Sequence, residues 1–169
     1  MIFVSVTEFH LTRARDLFDF QKLKNSITDG EGNLAGALGE IVVVDYYKLN
    51  QANTFDYDLT INSIRIDVKA KRFTARFTPD KSWNLNVSDF NTRQDCDYYC
   101  FVGIADDYSC AYIYGFIAKK EFFKIAQFGK KNEIDPHGNG SWKYKSDCYN
   151  ILISQLNELS PECNYLLNI

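Results

Sequence analysis

Several features that would place a chain quickly are missing from these 169 residues. There is no apolar run of the roughly 18 residues that a membrane helix needs, so no span is expected. The two histidines and the cysteines form no C-x-x-C pair or other usual ligand spacing, which removes the common zinc modules. No glycine-rich phosphate loop ending in Gly-Lys-Ser or Gly-Lys-Thr occurs, which removes the commonest nucleotide cradle. Prolines number only three, and no linker, repeat or low-complexity stretch divides the chain. One domain over 1–169 is therefore expected. Cationic excess is also missing: 19 Lys and Arg stand against 22 Asp and Glu, a net charge of −3. Proteins that coat nucleic acid without specificity carry the opposite balance. Residues 1–6 are too short, and lack the basic residue, for a signal peptide. The cysteines (Cys96, Cys100, Cys110, Cys148 and Cys163) are odd in number and read as reduced thiols of a cytoplasmic protein.

What is present is apolar and aromatic. Hydrophobic residues make up 46% and aromatic residues 15%, enough for a real core. Residues 7–26 read as a helix capped by Thr7, and 34–49 as a second helix capped by Asn33 and apolar around most of its surface. Strands are expected at 55–61, 64–71, 83–87, 98–105, 110–118 and 149–153. Helices are expected at 119–128 and 154–159, with a loop at 130–141. These elements make an α/β domain: a mixed, mostly antiparallel central sheet flanked by helices.

Charge is unevenly spread. Lys69, Lys71, Arg72 and Arg76 fall in a stretch without an acid, and seven lysines lie between 119 and 145. Solvated faces account for most such residues. Asn91, Arg93 and Gln94 form a polar stretch open to nucleic-acid contact, though a surface loop is the commoner role. His137 sits in a glycine-rich loop without an identified partner. Trp83 and Trp142 are candidates for base stacking, with core packing the default.

The segments 55–61 and 64–71 alternate strictly, and only Asn62-Ser63 separates them. A two-residue turn there sets Ile61 opposite Ile64, Leu59 opposite Ile66 and Asp58 opposite Asp67. Leu59, Ile61, Ile64, Ile66, Val68 and Ala70 then share the core side. Asp56, Asp58, Arg65, Asp67, Lys69 and Lys71 share the other. Two facing carboxylates, with Cβ atoms roughly 5 Å apart, repel unless something neutralises them. A divalent cation does so, and Mg²⁺ accepts oxygen donors with water filling its remaining positions. Glu40 lies on an apolar helix face with Gly36, Ala37, Val43 and Val44. A carboxylate there is partly buried, and buried carboxylates are rare unless paired or metal-bound.

Gly39-Glu40, Asp58 and Asp67-Val68-Lys69 together resemble the PD-(D/E)XK nuclease superfamily: a helix Glu, an Asp on the first strand and D/E-x-K on the second. Tyr57 stands where the name has Pro, and Asp56 rivals Asp58 as the first Asp. The match covers 34–72 closely and the remainder loosely. It implies a restriction-endonuclease-like core with Glu40, Asp58, Asp67 and Lys69 as catalytic residues. Asp58, Asp67, Glu40 and the Val68 carbonyl would hold Mg²⁺, for which Mn²⁺ can substitute. Lys71, Arg72 and Arg76 would contact DNA phosphates. The implied activity is hydrolysis of DNA phosphodiester bonds, as an endonuclease, with room for a homodimer. The competing expectation is a catalytically inactive nuclease-fold module that binds nucleic acid or protein.

Overall fold

A computed structural model of the chain describes residues 1–20, 31–52, 54–136 and 142–157. The first strand, β1 (Ile2–Ser5), leads into α1 (Glu8–Phe20) and α2 (Glu31–Tyr47). Then come β2 (Asn50–Gln51), β3 (Leu59–Ile61), β4 (Ile64–Phe73) and β5 (Asn84–Ser88). A 3₁₀ turn at Asp89–Arg93 precedes β6 (Tyr98–Ala105) and β7 (Cys110–Ala118). The last elements are α3 (Lys119–Ile125), β8 (Gln127–Gly129), β9 (Cys148–Leu152) and a 3₁₀ turn at Ile153–Gln155.

The architecture is mixed α/β. A six-stranded sheet runs β1-β7-β6-β4-β3-β2, and a smaller sheet runs β5-β9-β8. In the large sheet β4 and β6 are parallel and every other pair is antiparallel. Two cores lie on opposite faces of its centre. Alternation along β6 divides them: Cys100, Val102 and Ile104 enter the first core, with α1 and α2. Tyr99 and Phe101 enter the second, with β5, β9 and α3. Among the described residues no helix is long and apolar enough to cross a membrane.

Local chemistry explains several boundaries. At the start of α1, Thr7 donates its N–H to His10 Nδ1 at 3.0 Å, and its hydroxyl lies 3.5 Å from the His10 N–H. This is a capping box with His in place of Glu. Helix α2 starts at Glu31, so Asn33 lies within it and is not its cap. The strand expected from residue 55 begins only at Leu59. Thr54 Oγ1 accepts the N–H groups of Asp56 and Tyr57 and donates to the Tyr57 carbonyl, and this local turn competes with a ladder. The expected helix over 119–128 stops at Ile125, and residues 127–129 form β8 instead. Strands β6 and β7 have the expected bounds. The pairing of β1 with β7 was not expected; 1–6 alternates too briefly to declare itself. His137, Cys163, 21–26 of the first expected helix and 158–159 of the last lie outside the described residues.

Candidate active site

The hairpin has the expected register, with Ile61 opposite Ile64 and Leu59 opposite Ile66. Asn62 (φ 45°) and Ser63 (φ 70°) are both left-handed, as a type I′ turn requires. Asp58 lies just before β3. Its N–H donates to the Ile66 carbonyl at 3.0 Å, and its Oδ2 accepts the Val68 N–H at 2.7 Å. The Asp58 carboxyl is thereby fixed against the middle of β4.

The charged side of the hairpin is not solvated throughout. Asp67 is 2% exposed, because β4 lies beneath the second core and has β6 alongside. Glu40 arrives from α2 and is 7% exposed. Gly39 permits this approach: a Cβ there would stand 3.0 Å from Ala70 Cβ and 3.7 Å from Val68 Cγ1, both on β4. A side chain here would have to push Ala70 back by a few tenths of an ångström.

Glu40, Asp58 and Asp67 therefore share one buried volume, and their proton affinities show it. Burial first, then Asp67, pushes the Glu40 carboxyl up to about 8, against the pull of Lys69. Asp58 is held well above the usual carboxylate range by burial, then by Glu40 and Asp67. Burial also raises Asp67, opposed by Lys69, by a hydrogen bond with Asp58 and by the more distant Lys119. Glu40 Oε2 is buried with no hydrogen-bond partner. Such an oxygen costs free energy unless a proton or a cation compensates it.

Lys69 Nζ pairs with Asp67 Oδ2 at 2.5 Å and donates to Gln94 Oε1 at 2.9 Å. Gln94 Nε2 in turn donates to the Phe55 carbonyl at 2.9 Å, and Lys119 Nζ donates to the Gln94 carbonyl. Gln94, expected on a surface loop or against DNA, lies half-buried in the loop after the 3₁₀ turn and there accepts the Lys69 ammonium. Nothing in its local sequence marks that role, which depends on the chain folding back onto β4. Asn91 and Arg93 remain on the 3₁₀ turn.

The structure also separates the two rival aspartates. Asp56 Oδ1 accepts the Asp95 N–H at 3.2 Å, whereas Asp58 faces Glu40 and Asp67. Arg65 secures the same neighbourhood through a fork on Asp97 (3.0 and 3.1 Å) and a further bond to Asp95. Of the expected DNA contacts, Lys71 Nζ donates to the Asn84 carbonyl at 2.8 Å and Arg72 Nη2 to the Asp106 carbonyl at 3.1 Å. The Arg76 guanidinium lies 5.0 Å over the Phe77 ring. Val68 is buried in the first core and lies opposite Cys100 in the parallel ladder.

Three buried carboxyls, two of them raised further by their carboxyl neighbours and one with an unpartnered oxygen, suit a hard divalent cation as a donor set. Among the described residues, no three His, Cys, Asp or Glu side chains already stand at ion-holding spacing. In this arrangement Lys69 pairs with Asp67, and burial favours the neutral forms of Glu40 and Asp58. No family model matches the chain, and no curated protein matches it either.

Proposed function

We propose that the protein is a metal-dependent nuclease that hydrolyses phosphodiester bonds of DNA as an endonuclease, with the restriction-endonuclease-like core implied by its sequence pattern. One observation carries the reading: Glu40 from α2, Asp58 before β3, and Asp67 and Lys69 from β4 meet in a single buried cluster. A structural ion pair has no use for three carboxyls around one lysine, since each added carboxylate raises the cost of the others.

Glu40, Asp58 and Asp67, with the Val68 carbonyl, would hold Mg²⁺ or Mn²⁺. Such an ion supplies Lewis-acid polarisation of the phosphoryl oxygen and acidifies water. The chain's own groups do the rest. Lys69, oriented by Gln94, offers a cation to a non-bridging oxygen and stabilises the charge that develops there. Glu40, whose carboxyl burial holds protonated while no ion is bound, would give up that proton to become a ligand when the ion arrives. Lys71, Arg72 and Arg76 would contact flanking phosphates. The protein acts in the cytoplasm on this reading, and a homodimer would let two such sites cut both strands.

The inactive-module reading keeps one observation in its favour: Lys69 is paired with Asp67, and among the described residues no ligand set is preassembled. Plasmid and single-stranded DNA, incubated with Mg²⁺, Mn²⁺ or EDTA beside Lys69→Ala, decide between the two. Metal-dependent cutting that disappears in the variant supports the nuclease. Mn²⁺ bound without cutting supports the inactive module. Neither binding nor cutting sinks both.

A further inference from the structure

Beyond Lys69, strand β4 continues into a cleft of about 450 Å³. Its lining includes Lys71, Arg72, Phe73, Phe77, Trp83 and Trp142. That volume lies in the range that small ligands occupy. Both tryptophans of the chain lie on it. Phe73, 8% exposed, is buried, whereas Phe77 (52%) and Trp142 (38%) present aromatic surface to water.

Charge narrows the ligand. The Lys71 ammonium lies 5.9 Å over the Trp142 ring, while the Arg72 guanidinium turns away to the Asp106 carbonyl and the Tyr108 ring. Asp135, the one acid among the described lining residues, is 5% exposed and already accepts the Tyr144 hydroxyl and the Asn84 amide. The accessible charge is thus cationic and the accessible apolar surface aromatic. A planar ring carrying a phosphate answers both features. Position points the same way. Lys71 follows Asp67 and Lys69 on the same side of β4, roughly 6.6 Å beyond Lys69. A strand with one phosphate at Lys69 would bring a neighbouring nucleotide to the cleft. A duplex would first have to unpair and unstack that base, a cost that a single strand escapes.

We propose that the cleft seats an unpaired nucleobase of single-stranded nucleic acid. Trp142 and Phe77 stack on the base, while Lys71 meets the adjoining phosphate. The strand's continuation to Lys69 rests on the nuclease reading; base binding itself does not.

The two tryptophans make the site self-reporting. Short oligothymidylate and a duplex of equal length are titrated in EDTA, which suppresses cutting, while tryptophan emission is followed. The single strand should quench saturably and bind roughly tenfold or more tightly than the duplex. Phe77→Ala and Trp142→Leu, both at exposed positions and checked by circular dichroism, should each weaken single-strand binding about tenfold. Equal affinity for the duplex, absence of quenching, or parental affinity in both variants would overturn the proposal. Cutting in Mg²⁺ without quenching in EDTA sinks the cleft and leaves the nuclease. Quenching without cutting does the reverse.

Discussion

Replacing Glu40 by Gln keeps the size of a side chain in the buried cluster and removes its titration. Burial and Asp67 lift the Glu40 carboxyl from 4.5 to about 8. Folded chain therefore keeps this proton up to about 8, whereas unfolded chain releases it near 4.5. Between those values the folded state binds more protons, so stability falls as pH rises through the window. Near pH 7 the cost is on the order of 3 kcal/mol, and near pH 4 it is absent. Glu40→Gln cannot ionise and escapes this loss. The amide leaves a buried polar atom where Oε2 has no partner, a cost that does not change with pH. The informative quantity is therefore the variant's stability relative to the parent at two pH values. Urea unfolding in EDTA, followed by circular dichroism, should show the variant gaining about 2–3 kcal/mol on the parent between roughly pH 4 and pH 7. The same variant should not cut DNA. Parallel pH dependence in the two proteins would refute the argument, because it would mean that Glu40 ionises as freely in the fold as outside it.

Other outcomes follow from the same contacts. Burial holds the Glu40 proton up to about 8, so Mn²⁺ must displace it. Its calorimetric affinity should rise between about pH 6 and pH 8, with a heat that depends on the buffer's ionisation enthalpy; a flat profile would place the ion elsewhere. Asp58→Asn keeps an acceptor for the Val68 N–H, whereas Asp58→Ala orphans it. Chemical denaturation should find the Ala variant about 1–2 kcal/mol less stable than the Asn variant, and both should lose metal-dependent cutting. Ser63 holds φ 70° in the hairpin turn, a conformation that costs a residue with a Cβ. Ser63→Gly should raise stability by about 0.5–1 kcal/mol in thermal unfolding, and a loss would mean that the Ser63 side chain has a role the turn does not explain.

The hairpin was legible in the sequence because everything that fixes it is local. Strict alternation on both sides of Asn62-Ser63 leaves one register that buries Leu59, Ile66 and Val68, and that register is the one observed. The same reasoning located β6 and β7, and the long apolar run gave α2 its type. Glu40, Asp58, Asp67 and Lys69 could be chosen from that scaffold, since a carboxylate on an apolar helix face demands a partner.

Tertiary structure decided what those residues meet. The parallel pairing of β4 with β6 joins segments about thirty residues apart, and no local pattern announces it. The second core covers the charged side of β4, so Asp67 is buried where alternation alone would leave it wet. The Asp95 main chain occupies Asp56, leaving Asp58 to the cluster, and Gln94 takes Lys69. Sequence fixes contacts between neighbours through periodicity and turn chemistry. It leaves open the long-range contacts that turn charged residues into a site, because loop-closing entropy and competing burial are settled only by the whole chain.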